Sequence, residues 1–129
     1  MKYYFTTTLK EISFAGAKER VIEELKKEGF GVLTQIDMKA TLKKKLDVDF
    51  RPYEILGACH PNFAYKALSN EDKIGLMLPC NVILEENKEG NIEVSAIDPV
   101  ASMGAVENEN LGEIAQDVQQ KLKKVIDNL

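Results

Sequence analysis

Residues 80–98 read CNVILEENKEGNIEVSAID, and their pattern decides the fold. Two apolar-rich runs, Cys80 to Glu86 and Asn91 to Asp98, flank Asn87-Lys88-Glu89-Gly90, a polar segment ending in glycine that suits a hairpin loop. The spacing predicts two antiparallel strands, with Pro79 tolerated at the entry to the first. Such a sheet needs helices to cover it, and the clearest one follows directly. Leu111, Ile114, Ala115, Val118, Leu122, Val125, Ile126 and Leu129 hold an apolar stripe for about five turns, with Glu, Gln, Asp and Lys on the other face.

Working back toward the start, Tyr3 to Leu9 mixes aromatic, Thr and Leu residues as a strand does. Ser13 then caps a helix whose Phe14, Ala17, Val21, Ile22 and Leu25 recur at helical spacing, and Gly29 ends it. Glu23 and Lys27 pair on its surface at i,i+4. Phe30, Val32, Thr34 and Ile36 alternate through a second strand that ends at Asp37. Met38, Leu42 and Leu46, four apart, predict a short surface helix. After the break at Arg51-Pro52, Tyr53 to Cys59 reads as a third strand. Pro61 suits the first position of a further helix, with Phe63, Ala64, Ala67 and Leu68 as its inner face. The order is strand, helix, four strands, helix, with two short helices inserted around the third strand. Long helices at 13–28 and 107–128 on one face of a mostly antiparallel sheet give a two-layer α+β fold, a single domain over residues 1–129.

The chain has 129 residues, enough to bury about two thirds of the surface its unfolded form exposes, so no disulfide staple is needed. A formal charge of −4 and a pI near 5.1 disfavour nucleic acid and anionic membranes, since both demand a basic face. The Lys43-Lys44-Lys45 run is too short to overturn that. Ile74 to Leu84, the longest apolar run, is broken by Pro79 and Asn81 and cannot span a bilayer. Met1-Lys2-Tyr3-Tyr4 leads into threonines and not into an apolar signal region. Two cysteines without an export signal point to a reducing cytoplasm.

Those two cysteines and the one histidine fall in Gly57-Ala58-Cys59-His60-Pro61-Asn62 and Leu78-Pro79-Cys80-Asn81-Val82. Any thiol, metal or redox chemistry must pass through this cluster. Cys59 precedes the helix that Pro61 opens, and the free N–H groups there favour its thiolate. Cys80 opens the following long strand, so the two thiols meet if that strand neighbours the third. Equally, cysteine is a small apolar residue that commonly fills cores. Adjacent residues of an extended chain point apart, which argues against Cys59 and His60 sharing one metal ion. Helix cap or surface residue is the plain reading of His60. Asp98-Pro99 ends the last strand before a flexible stretch, Val100 to Ala105, and its carboxylate is either a turn former or part of a rim. Tyr65 and Lys66 read as a solvated helix face, Met77 and Met103 as core filling.

With these segments in view, together with Ala64-Tyr65-Lys66-Ala67-Leu68, Ile74-Gly75-Leu76-Met77, Ala96-Ile97-Asp98-Pro99 and Gly29-Phe30-Gly31-Val32-Leu33-Thr34, the chain resembles the domain of unknown function family 302 over nearly its whole length. The resemblance implies a fold similar to the TATA-binding-protein arrangement of one strand, a helix, four strands and a helix. It implies no particular activity. His60 stands where that family more often has asparagine.

Two functions follow. One is a protein that binds a small ligand or responds to redox state through Cys59 and Cys80, with His60 and Asp98 beside them; no catalytic residue, cofactor or metal is nominated. The other is a non-catalytic homodimeric interaction module. A sheet with helices on one face leaves the other to be covered, and Val82 to Leu84 and Ile92 to Ile97 are expected to supply apolar residues there that a dimer would hide.

Overall fold

A computed structural model describes residues 2–129. The sheet contains β1 (Tyr4–Leu9), β2 (Gly31–Asp37), β3 (Tyr53–Cys59), β4 (Cys80–Glu86) and β5 (Ile92–Ile97) in the spatial order β1-β5-β4-β3-β2, every neighbouring pair antiparallel. α1 (Phe14–Lys27) carries the chain from one edge strand to the other, and β2 to β5 then return by meandering. The predicted α+β class, strand order along the chain and two long helices are all present.

Local chemistry sets the boundaries. Ser13 Oγ accepts the Gly16 N–H at 3.0 Å to open α1, and Gly29, at φ +89°, turns the chain out of it. The β4–β5 loop closes on Asn87, whose Oδ1 accepts from Glu89 and Asn91 at 3.1 and 3.0 Å. α2 (Met38–Leu46) is capped by Asp37, whose Oδ1 accepts from the Ala40 N–H at 2.9 Å, and no residue of it is buried. α3 (Pro61–Asn70) is followed by a 3-10 turn, Asp72–Met77, which the irregular apolar run there did not announce. Of Val100 to Ala105, the stretch expected to be flexible, Val100, Ala101 and Ser102 lie in the helical turn α4 (Pro99–Ser102). α5 (Glu109–Asp127) starts at Asn108, which also ties it to α3 by donating to the Asn70 carbonyl at 2.8 Å.

Alternation along the strands divides the sheet into two faces. Leu56, Ala58, Val82, Leu84, Ile92, Val94 and Ala96 all face the helices and are buried. Ala17, Val21 and Leu25 of α1 and Val118, Leu122, Val125 and Ile126 of α5 complete this main core. Glu54 is the one buried charged residue among those described, and Lys18 of α1 meets its carboxylate at 3.0 Å. The register sorts the segments expected on the uncovered face: Val82, Leu84, Ile92, Val94 and Ala96 belong to the core, while Ile83 and Ile97 do lie on the open side, with Ile36, Ile55 and Ser95. A second, smaller cluster of Ala67, Ile74, Met103, Leu111 and Ala115 lies beyond the sheet's end. Met103 fills the core as expected. Met77 does not, being 39% exposed on the 3-10 turn.

Leu122 is fully buried between α5 and the sheet. Leu122→Ala should lower unfolding stability by about 2 to 5 kcal/mol, the range for truncating a buried leucine. A chemical-denaturation midpoint left unchanged would contradict the packing of α5.

Candidate functional site

The main core and the smaller cluster do not fuse completely. Between them lies a cavity of about 300 Å³ bounded by the ends of β3 and β4, by α3 and the 3-10 turn, and by α5. Phe30, Leu33, Phe63, Leu68, Leu78 and Val118 supply much of its wall, and Cys59, His60 and Cys80 are part of the same lining. No Asp, Glu, Lys or Arg lines it.

Strand pairing explains why the cysteine-containing segments converge. Cys80 lies opposite Ala58 in the β3–β4 register, so Cys59, the next residue, ends its strand beside it. Neither thiol is in a disulfide. Cys80 is buried, and desolvation, with Cys59 as the smaller contribution, pushes its pKa up to about 11. It is a neutral thiol at pH 7. Cys59 is half-buried at the threshold of α3.

His60 occupies the N-cap position of α3, yet its side chain makes no capping hydrogen bond. Its ring instead packs against Phe63 and Phe30, at centroid separations of 4.5 and 5.3 Å. Burial, and secondarily the charge of Lys121, holds its pKa below the usual 6.5, so the imidazole is uncharged at neutral pH. Its Nδ1 is buried without a hydrogen-bond partner. Gly29 is required here for a second reason: a Cβ at that position would stand 2.7 Å from His60 Nε2.

Asp98 takes no part in the cavity wall. Its Oδ1 accepts the Val100 N–H at 3.0 Å and caps α4, and Gln119 Nε2 donates to both carboxylate oxygens at 3.0 and 3.2 Å, fastening that turn to α5. Of the stretch expected to form a rim, Met103 alone reaches the cavity. Tyr65 and Lys66 are solvated, as read from the sequence. Leu33 and Leu78 are wall residues that the sequence does not mark. Leu78 precedes Pro79 and breaks no pattern, and Leu33 is displaced by a β-bulge between Val32 and Thr34 that alternation alone does not locate.

Among the described residues no group of three or more His, Cys, Asp or Glu side chains is placed to hold a metal ion. No helix among them is long and apolar enough to cross a membrane.

These features define a small α+β protein with one five-stranded antiparallel sheet and an apolar, thiol-bearing cavity at its end. Residues 5–129 match the family described as "Domain of unknown function DUF302", and the chain belongs to it. It is similar to a solved structure from Bacillus stearothermophilus, titled as an uncharacterized conserved protein DUF302, with 30% sequence identity, a TM-score of 0.90 and 98% of each chain covered. No curated protein matches the chain.

The two thiols should differ sharply toward an alkylating reagent. With a pKa of about 11, Cys80 holds only about one thiolate in 10⁴ at pH 7, and it is also buried. Time-resolved peptide mapping with iodoacetamide should therefore find Cys59 labelled first, and equal rates would contradict the arrangement.

Proposed function

We propose that this protein binds a small, uncharged, largely apolar molecule in the cavity between α3, α5 and the sheet, with Cys59 as the thiol an incoming reactive molecule meets first. One observation carries the reading: a cavity of about 300 Å³, at the small end of ligand-pocket sizes, whose lining bears two cysteines and a neutral imidazole but no Asp, Glu, Lys or Arg. A charged ligand would lose its hydration there and gain no counter-charge. An apolar one exchanges water for Phe30, Phe63 and Leu78, and about 25 cal/mol accrues for each Å² it removes from solvent. Modification of Cys59 would add bulk at the same wall, so thiol chemistry and occupancy are coupled. Asp98 serves α4 in this reading and contacts no ligand.

A second reading is a cytoplasmic homodimer that binds no nucleic acid, and the open face supports its dimer. Ile36, Ile55 and Ile83 are successive cross-strand partners there and make an apolar row across β2, β3 and β4. The two readings use different faces and can hold together.

A neutral fluorescent probe such as N-phenyl-1-naphthylamine tests the first. It should bind the wild type, and Gly75→Leu should weaken it by about tenfold or more, because the new side chain starts at the cavity wall. A Cβ at Gly75 meets only Leu68 Cδ2, at 4.0 Å, so folding should survive the substitution. Absence of probe binding to the wild type, or equal binding by a folded Gly75→Leu protein, would remove this reading.

A further inference from the structure

Between Phe30 and Glu54, both buried, no residue from 31 to 53 is buried, although the segment contains all of β2 and α2. Ordering a residue costs about 1 to 2 kcal/mol of backbone entropy, and segments normally offset it by burying side chains. This arm buries none of them fully and leaves several apolar ones open to water. Leu33 is 67% exposed, Ile36 43%, Leu46 66% and Val48 44%. The arm is also charged against the rest of the molecule. It holds five Lys and Arg against three Asp, which leaves twelve cationic and eighteen acidic residues elsewhere.

The open sheet face carries the complementary feature. Glu85 and Glu93 are directly opposed across β4 and β5, a like-charge pair that disfavours the sheet unless something neutralises it. Arg51, stacked 4.5 Å from the Phe50 ring, binds Glu85 at 2.9 Å. Among the described residues Glu93 has no ion-pair partner. Both carboxylates border an open depression of about 430 Å³ that also holds Tyr53 and Ile83.

We propose that this face is occupied by a second copy of the chain, related by a two-fold axis running along the strands above β4, and that Arg51 of each copy reaches Glu93 of the other. The proposal rests on the homodimer reading above and gives it a geometry. Such an axis keeps the ends of the strands together and reverses their lateral order, so β3 of one copy lies across β5 of the other. Arg51 stands just before β3 and Glu93 near the start of β5, at the same end of the sheet, since Tyr53, Glu85 and Glu93 are consecutive cross-strand partners. Ile83 then meets its own counterpart close to the axis. A stable interface needs about 800 Å² from each partner, or a tenth of the 8018 Å² that this chain exposes. Five strands at about 4.8 Å spacing, each about 20 Å long, provide most of it.

Light scattering on the full chain at micromolar concentration should give twice 14.5 kDa. Arg51→Glu and Glu93→Arg should each weaken self-association by about tenfold or more, since each places like charges at both symmetric contacts. An equimolar mixture of the two variants should recover the wild-type mass, because both contacts in the mixed dimer are again Arg with Glu. Arg51→Glu/Glu93→Arg in one chain should recover it as well, which keeps the test decisive if either single variant folds poorly. A wild-type mass of 14.5 kDa would overturn the dimer itself. A wild-type dimer that neither single variant weakens, or that neither the mixture nor the double variant restores, would overturn the two-fold and its Arg51–Glu93 contact. Salt-sensitive capture of duplex DNA by the basic arm, without self-association, would overturn the choice of occupant.

Discussion

Two helices have to cover one face of a five-stranded sheet, and most of the molecule follows from how far they reach. Strands about 4.8 Å apart make a face about 20 Å across, which two helices about 10 Å in diameter can just span. α1 and α5 do so over the middle of the sheet, where Leu56, Val82, Leu84 and Val94 are sealed from water. At the end marked by Ala58 and Cys80, cover passes to α3 and the 3-10 turn, shorter elements that build a second cluster of their own around Ile74 and Met103. The cavity is the seam between the two clusters. Its apolar character follows from the same cause, since its walls are the flanks of hydrophobic cores.

The periodicities that were easiest to read belong to elements that bury one face. α5 is legible because Leu111, Ala115, Val118, Leu122 and Val125 repeat at its period, and all are buried. The hairpin of β4 and β5 is legible from alternation and from Asn87 and Gly90 at its turn. Alternation does not say which of its two sets faces the helices, and here that set is Val82, Leu84, Ile92, Val94 and Ala96. That choice depends on which strands become neighbours. β1 and β2, first and second in the chain, are the two edges of the sheet, a fact of tertiary packing that no local pattern encodes.

The site was legible in part for similar reasons. Convergence of Cys59 and Cys80 requires β3 and β4 to be neighbours, which their order in the chain favours and the register bears out. The role of His60 was hidden because position and side chain disagree. It holds the cap position of α3 while its ring packs between Phe30 and Phe63, contacts contributed from both sides of β3 in sequence. Of the two readings of Asp98, turn former or part of a rim, the turn former is the one the structure takes. A carboxylate beside Pro99 has one local use, capping the turn, and the distant donor Gln119 completes that use. Walls such as Leu33 carry no chemistry that marks them, and they emerge once a bulge and a helix are placed together.

The cavity and the open face sit on opposite sides of the same strands, and Gly57 and Pro79 come together between them. Gly57 faces away from the helices, where a Cβ would stand 2.8 Å from Pro79 Cγ and closer still to Thr34 Oγ1. Any larger residue would have to displace Pro79, whose neighbours Leu78 and Cys80 line the cavity along with it. Packing this close transmits displacement because interiors are dense and compress little. The open face at that end of β3 and the cavity wall at the start of β4 therefore meet at Pro79. Glycine at position 57 is what lets Thr34 and Pro79 close over β3 at this end of the sheet.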